Sequence, residues 1–307
     1  LVGSEMCIRD SNTFGRNKDI KDFIDGLELI DESACISLDA KWGDGKTFFV
    51  RQIEEVLKYV LANQRADEEN PIEKLPSYEY LKDNEMMAKI DLKHSYLPIY
   101  YNAWMYDNHS DPLMSLLLVM TKTCRGVYDT KIDSEKISKK LIEVVATLPI
   151  SLGEFKANPF TAIEKLQGKS MDILSLVQTE EEIRERVKGI FNDIIVERAQ
   201  KLVIFIDELD RCRPSFAIEM LERIKHYFDD ERVIFVVSLN KEQLIHTITN
   251  YYGSGFDATR YLNKFFDVNI NLPAMDKYQK QTLEFSEQQT EGCLLYTSPS
   301  PRDRSLS

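Results

Sequence analysis

The stretch CISLDAKWGDGKTFFVRQI, residues 35–53, decides the fold of this chain. It opens with a short, mostly apolar run that is typical of a buried strand, and it continues into a loop with two glycines. From Thr47 to about Gln64, apolar and charged residues recur at the spacing of an amphipathic helix. A strand, a glycine-containing loop that ends in Gly-Lys-Thr, and a helix, in this order, predict a phosphate-binding loop.

The loop AKWGDGKT, residues 40–47, contains the residue types that phosphate binding requires. Gly43 and Gly45 allow the backbone to turn its N–H groups towards phosphate oxygens, and the N-terminus of the following helix favours an anion. Lys46 can reach the β- and γ-phosphates, and the Thr47 hydroxyl can ligate Mg²⁺. A structural glycine turn that happens to contain Lys-Thr is the alternative. The predicted nucleotide-binding residues are Ala40, Trp42, Gly43, Asp44, Gly45, Lys46 and Thr47.

Two positions of this loop depart from the usual pattern. Ala40 stands where the usual motif begins with glycine. Alanine does not readily adopt a strongly positive φ, so we expect a slightly altered entry into the loop. Asp44 places a negative charge near a bound phosphate, unless its side chain points away from the phosphate.

A second motif, KLVIFIDELDR at residues 201–211, supplies the acidic half of such a site. Apolar residues lead into Asp207 at the expected C-terminal end of a strand, where a carboxylate can hold Mg²⁺ through water. Glu208 follows directly and is placed to orient or deprotonate the attacking water. Asn102 ends another predicted strand near the same site. An acidic turn that merely ends a strand is the alternative, and the phosphate loop upstream argues against it.

Three further polar residues are candidates for roles in catalysis. Asn240 follows a predicted strand. Its position suits two roles equally: a polar sensor that contacts the γ-phosphate or the attacking water, and the N-cap of the next helix. Arg211 and Arg213 could sense phosphate or act across a subunit interface as arginine fingers. In the alternative, these arginines pair with acidic residues such as Asp210 or Glu219. The predicted catalytic residues are Glu208, Lys46 and Asn240.

The whole chain alternates strands with helices, which predicts an α/β fold with three layers and a central, mostly parallel sheet. The strands at residues 201–207 and 232–240 are apolar without alternation, as strands covered on both faces should be. A strand at residues 96–101 and the Asp-Glu pair together favour a P-loop protein with an added central strand and a catalytic glutamate. The other expected strands are at 35–40 and 268–272, and the expected helices are at 17–30, 47–64, 112–124, 215–227 and 241–251. Two insertions are also expected: a polar one at 65–92, and a helical one between the two nucleotide motifs at about 107–200. The helical insertion has helical periods at 134–145 and 179–200.

Composition limits the classes of function. The chain has 307 residues and a net charge of −12, which suits one large domain, or a domain with an insertion, and does not present a general nucleic-acid footprint. Cys35, Cys124 and Cys212 are widely spaced, which predicts a reduced, cytoplasmic protein with buried thiols. No stretch approaches the roughly 20 apolar residues of a membrane span, so we expect no transmembrane segment.

The two ends of the sequence do not resemble native protein. VGSEMCIRDS at residues 2–11 and CLLYTSPSPRD at residues 293–303 back-translate to DNA strings that are reverse complements in shifted frames. Both strings resemble a sequencing adapter that has been translated at the two ends of a read. We therefore expect residues 1–11 and 293–307 to be adapter-derived, and the native domain to be residues 12–292, open at both ends.

Four segments, in the same order, resemble the KAP family of P-loop NTPases. They are the loop with Trp42 before Gly43, YYNAWMYD at 100–107, IDELDRCRPSFAIEMLERIKHYF at 206–228, and RYLNKFFDVNINLP at 260–273. This resemblance implies an ATPase domain of the additional-strand class, of a kind often found in bacterial proteins linked to membranes or to defence against phage. Ala40 departs from the family pattern, as does Glu208, where a second aspartate is common.

We expect the substrate to be ATP rather than GTP, because NKEQ at residues 240–243 has Gln243 where the guanine-specific Asn-Lys-x-Asp motif has aspartate. The expected activity is Mg²⁺-dependent ATP hydrolysis that acts on a protein partner or on a second copy of the chain. The expected location is the cytoplasm, either free or peripheral to the inner face of the membrane. Two other functions stay open: a non-catalytic, nucleotide-switched scaffold, and a small-molecule kinase, for which the sequence shows neither an acceptor pocket nor an Arg-rich lid.

Overall fold

The computed structural model describes residues 16–64, 90–109, 111–127, 185, 187–192, 199–228 and 230–274. Both predicted adapter tails lie outside these residues, as do most of the polar insertion at 65–92 and the helical period at 134–145. The described parts of the expected helical insertion include the helix Pro112–Val127 and the helical residues 187–192. Residues 199 and 200 are not helical, so the helix expected to reach residue 200 ends earlier.

Helices and strands alternate in chain order, and the predicted ones that lie wholly within the described residues are confirmed to within a few residues at their ends. One further helix, Ala258–Leu262, was not predicted, because its five residues are too few to show a helical period in the sequence. The elements are α1 (Asn17–Leu27), β1 (Ala34–Asp39), α2 (Lys46–Gln64), β2 (Tyr96–Asn102), α3 (Pro112–Val127), β3 (Lys201–Asp207), α4 (Pro214–Tyr227), β4 (Val233–Leu239), α5 (Lys241–Tyr252), α6 (Ala258–Leu262) and β5 (Val268–Asn271), with short 3₁₀ helices at Trp104–Tyr106 and Leu209–Arg211.

The described strands form one sheet in the order β2-β3-β4-β1-β5, and every neighbouring pair is parallel. The expectation of a mostly parallel sheet is therefore confirmed. The strand between the phosphate-loop strand β1 and the acidic strand β3 is β4, which follows both of them in the sequence. β2 lies on the far side of β3 and pairs with it from Tyr96↔Lys201 to Asn102↔Asp207.

Apolar side chains cover both faces of the sheet, which explains why the central strands are apolar throughout. Every residue of β3 and of β4 is buried. Alternate residues of β3 point to opposite faces: Leu202 and Ile204 join one core cluster, and Val203 and Phe205 join the other. α1 and, apart from Leu61, α2 pack in the second cluster, whereas α3, α4, α5 and α6 pack in the first. The result is a three-layer α/β fold.

The position of β2 at one end of the strand order explains a proline within it. Pro98 has no backbone N–H to donate to a neighbouring strand, so proline is confined to strands with a free edge or to strand ends. Its register partner is Val203 on β3, the one neighbour of β2 among the described strands. Within the described part of the chain, no helix combines the length and the apolar character that crossing a bilayer would need.

Candidate functional site

The predicted site residues come together at the C-terminal edge of the sheet. β1 ends at Asp39 and is followed by the phosphate loop, and α2 begins at Lys46. β3 ends at Asp207, its register partner Asn102 ends β2, and Asn240 follows β4 directly. Because the strands are parallel, all these ends lie along one edge, where ligands of α/β proteins usually bind.

The phosphate loop has the backbone shape that the glycines predict. Gly43 and Gly45 have φ values of 83° and 75°, in the left-handed region that favours glycine. Among the described non-glycine residues only Glu208 has a positive φ, so Ala40 adopts an ordinary backbone conformation. Its N–H donates to the carbonyl of Leu239 at 3.2 Å, which ties the loop entry to the end of β4. The alanine at this position therefore causes no backbone strain.

A buried arginine that the sequence reasoning missed supports the loop from behind. Arg16 is only 6% exposed, and its Nη2 donates to the carbonyl of Asp44 at 3.1 Å and to that of Pro273 at 2.7 Å. Burial lowers the pKa of Arg16, and the charges of Asp19 and Asp44 act in the opposite direction. The Asp44 side chain is itself buried, whereas Trp42 and Gly43 beside it are exposed. No local pattern signals Arg16, because its contacts span 28 and 257 residues of sequence.

Lys46 lies across the mouth of the loop. Its Nζ donates to the carbonyls of Ala40 at 2.7 Å and Lys41 at 3.2 Å. Burial lowers the pKa of this ammonium below its usual value of 10.5. The carboxylates that oppose this shift are, in decreasing order of effect, Asp210, Asp207, Asp39 and Asp44. Asp210 and Asp207 of the acidic segment are therefore close enough to Lys46 to act on its charge, which links the two motifs electrostatically.

Asp207 is almost completely buried, at 1% exposure, and both of its carboxylate oxygens accept hydrogen bonds. Oδ1 accepts from the backbone N–H of Glu208 at 3.0 Å, and Oδ2 accepts from the Tyr100 hydroxyl at 3.0 Å. Burial, and after it the charge of Asp207, raise the pKa of Tyr100, so that its hydroxyl keeps the proton that it donates. Tyr100 is a second residue that the sequence reasoning missed.

Glu208 adopts a left-handed backbone conformation, with φ 61° and ψ 27°, which is uncommon for a residue with a side chain. Its Oε2 accepts from the Asn102 amide at 2.9 Å, and its Oε1 pairs with the Arg211 guanidinium at 3.1 Å. The Arg211 guanidinium also lies 5.7 Å from the centre of the Trp104 ring. The turn directs the Glu208 side chain to this corner, where both carboxylate oxygens have partners.

Trp42 connects the phosphate loop with the acidic segment. Its indole Nε1 donates to Oδ2 of Asp210 at 2.6 Å, across 168 residues of sequence. Asp210 is 6% exposed, and the Trp42 side chain is about half exposed. The two motifs are therefore in direct contact, and Trp42 makes that contact.

The remaining candidates have structural partners. Asn240 is the N-cap of α5, since its side chain accepts from the Gln243 N–H at 3.1 Å, which confirms the capping interpretation. Arg213 pairs with Asp107 at 3.2 Å. Both arginines pair with acidic residues, as the alternative held, but the partners are Glu208 for Arg211 and Asp107 for Arg213 instead of Asp210 or Glu219. Asp107 reaches Arg213 because β2, which precedes it, lies beside β3.

The geometry defines the class of this protein. A phosphate loop after β1 and an acidic residue at the end of β3, with β4 between them, are the features of a P-loop NTPase with an additional central strand. Residues 17–295 match the family model described as the KAP family P-loop domain, and the chain belongs to this family. The chain is also similar to the uncharacterized protein MJ0182 of Methanocaldococcus jannaschii, with 25% identity over 173 residues that cover 46% of this chain and 89% of that protein.

Proposed function

We propose that this domain binds ATP together with Mg²⁺ and hydrolyses it at the edge of the sheet. Membership of a P-loop NTPase family supports nucleotide binding in general. The observation that carries the proposal is the direct contact between the two halves of the site, the hydrogen bond from Trp42 to Asp210. This contact brings the phosphate loop close to the acidic end of β3, as phosphoryl transfer to water requires.

The phosphate loop would hold the triphosphate through the backbone N–H groups of Gly43 and Gly45 and through the start of α2. The Lys46 ammonium now donates to two loop carbonyls, and it would exchange them for the β- and γ-phosphate oxygens. Of the other loop residues proposed for nucleotide binding, Ala40 ties the loop to β4, and Trp42 ties it to Asp210. Their role is then to keep the loop in its binding shape.

The residues present fit a magnesium ion. The exposed Thr47 hydroxyl and the buried Asp207 carboxylate offer the oxygen ligands that Mg²⁺ prefers. Mg²⁺ would neutralise charge on the phosphates, while Thr47 and Asp207 would hold it directly or through water.

Glu208 would orient the attacking water and accept its proton. Asn102 and Arg211 each contact one of its carboxylate oxygens, and the water would donate to a remaining acceptor site or replace one of these contacts. The same observation favours the second candidate function, a nucleotide-switched scaffold in which Glu208 stays engaged and ATP is bound without turnover. Arg211 and Arg213 stay candidates for phosphate sensing or for action across a subunit interface, and Asn240 for a sensor role beside its capping role.

The identity of the base and the biological process rest on the sequence. Gln243 at the position of the guanine-reading aspartate favours ATP. The further proposal, a cytoplasmic ATPase in phage defence or in an assembly at the membrane that acts on a protein partner or on a second copy of the chain, rests on the family resemblance and on the spacing of the cysteines.

Measurements of phosphate release and of ATP binding on three proteins test the proposal. Wild type should release phosphate with Mg²⁺–ATP, Glu208→Gln should bind ATP and lose turnover, and Lys46→Ala should lose binding as well. Wild-type protein that binds ATP without turnover at any protein concentration would establish the scaffold. Formation of ADP that depends on an added acceptor would instead indicate a kinase.

A further inference from the structure

We propose that Tyr100 and Arg51 are positioning residues that fix the Asp207 carboxylate for the metal-bound nucleotide. The inference rests on the proposed function of the site and adds two residues to it. Tyr100 lies on β2 and Arg51 on α2, so neither belongs to the phosphate loop or to the acidic segment.

The hydroxyl of Tyr100 controls one of the two oxygens of Asp207. It donates to Oδ2 at 3.0 Å, while the Glu208 backbone N–H donates to Oδ1 at 3.0 Å. Two donors at opposite oxygens prevent the carboxylate from rotating about its last side-chain bond. The backbone donor is held by the turn after β3, so the hydroxyl is the part of this arrangement that a side-chain substitution can remove.

Arg51 stacks on the ring of Tyr100 and holds it in place. Its guanidinium carbon lies 3.2 Å from the centre of the ring, and its Nη1 pairs with Oε2 of Glu54 at 2.7 Å. Arg51 follows Thr47 by four residues on α2, so the two side chains lie on the same face of this helix. Thr47 and Asp207 are the two residues proposed to hold the metal ion. The stacking of Arg51 on Tyr100 links α2, which carries Thr47, to the Asp207 carboxylate.

Because Tyr100 and Arg51 act on the Asp207 carboxylate, their loss should change the Mg²⁺ concentration that ATP binding requires. Residues that hydrogen-bond a metal-binding carboxylate orient it, and their loss typically lowers metal affinity or activity by about 10- to 100-fold. Tyr100→Phe removes the hydroxyl and keeps the ring on which Arg51 stacks. Phosphate binding by the loop without metal does not use Asp207, so it should be unaffected.

The chain contains a matched control at the next residue. Tyr101 is on the same strand and fully buried, and its hydroxyl makes a 2.7 Å hydrogen bond with Ser115 on α3. Its side chain belongs to the core cluster on the opposite face of the sheet from that of Tyr100. Tyr101→Phe therefore removes a comparable hydroxyl without touching Asp207.

The experiment measures ATP binding by calorimetry as a function of free Mg²⁺ and in EDTA, using the full chain. Tyr100→Phe should raise the half-saturating Mg²⁺ concentration by about tenfold and leave binding in EDTA unchanged, whereas Tyr101→Phe should shift neither. Arg51→Met, at a partly exposed position, should shift the Mg²⁺ requirement in the same direction. Equal Mg²⁺ requirements for wild type and both Tyr100→Phe and Arg51→Met would overturn the inference alone. Wild-type protein that binds no ATP in either condition would overturn the proposed function as well.

Discussion

Replacing Trp42 with phenylalanine removes the one hydrogen bond described between the phosphate loop and Asp210, and it leaves an aromatic ring in place. A hydrogen bond to a charged group contributes about 1.5–3 kcal/mol when it is shielded from water. The Trp42 side chain is about half exposed, so water can partly replace the lost donor, and we expect the lower end of that range or slightly less. A loss of about 1 kcal/mol corresponds to about a fivefold change in an equilibrium constant.

The loss should appear in nucleotide binding, because the contact holds the loop against the acidic segment. Calorimetric titration of Trp42→Phe with Mg²⁺–ATP should show an affinity about fivefold below that of wild type. Trp104→Phe is the matched control: Trp104 is exposed to a similar extent, at 54% against 52% for Trp42, and it does not contact Asp210 through its indole nitrogen. Equal affinities for the two variants would refute the argument that the Trp42 contact organises the loop.

Three other predictions follow from single residues. Arg16→Met should lower the free energy of unfolding by about 2 kcal/mol in urea titrations, because two carbonyls lose a buried charged donor; an unchanged midpoint would contradict the role of Arg16 behind the loop. Asn240→Ala should cost about 1 kcal/mol of stability through loss of the N-cap, and a drop in ATP turnover beyond the fraction unfolded would establish the additional sensor role. ATP affinity should begin to fall at a pH below the usual lysine pKa of 10.5, because burial lowers the pKa of Lys46 and the ammonium loses its proton earlier than in water; an affinity that does not fall as the pH is raised to 10.5 contradicts the assignment of Lys46 to the phosphates.

The features that local sequence encodes were predictable. The glycines of the phosphate loop predict positive φ values, and Gly43 and Gly45 both have them. The unbroken apolar runs of β3 and β4 predict strands that are covered on both faces, and every residue in these strands is buried. Asp207 at the end of β3 follows from the same run. In each case the physical cause lies within a few neighbouring residues, so a single sequence contains it.

The contacts that complete the site were not predictable in this way, because they join residues that are distant in the chain. The hydrogen bond from Tyr100 to Asp207 spans 107 residues, and it exists because β2 pairs with β3. The order of strands in the sheet, with β4 between β1 and β3, differs from the order of the strands in the sequence, so the order along the chain does not give it. The partner of Arg213 was predicted wrongly for the same reason, since Asp107 comes close to Arg213 only because β2 pairs with β3.

The positions of the tryptophans have a practical consequence. The sequence contains two tryptophans, and both lie beside the 3₁₀ helix at Leu209–Arg211: Trp42 donates to Asp210, and the ring of Trp104 lies near Arg211. Indole fluorescence of the unlabelled protein therefore originates from this corner alone. A change in emission on addition of nucleotide would report the movement of the phosphate loop or of the Glu208 turn, and the two single-tryptophan variants would tell which of the two has moved.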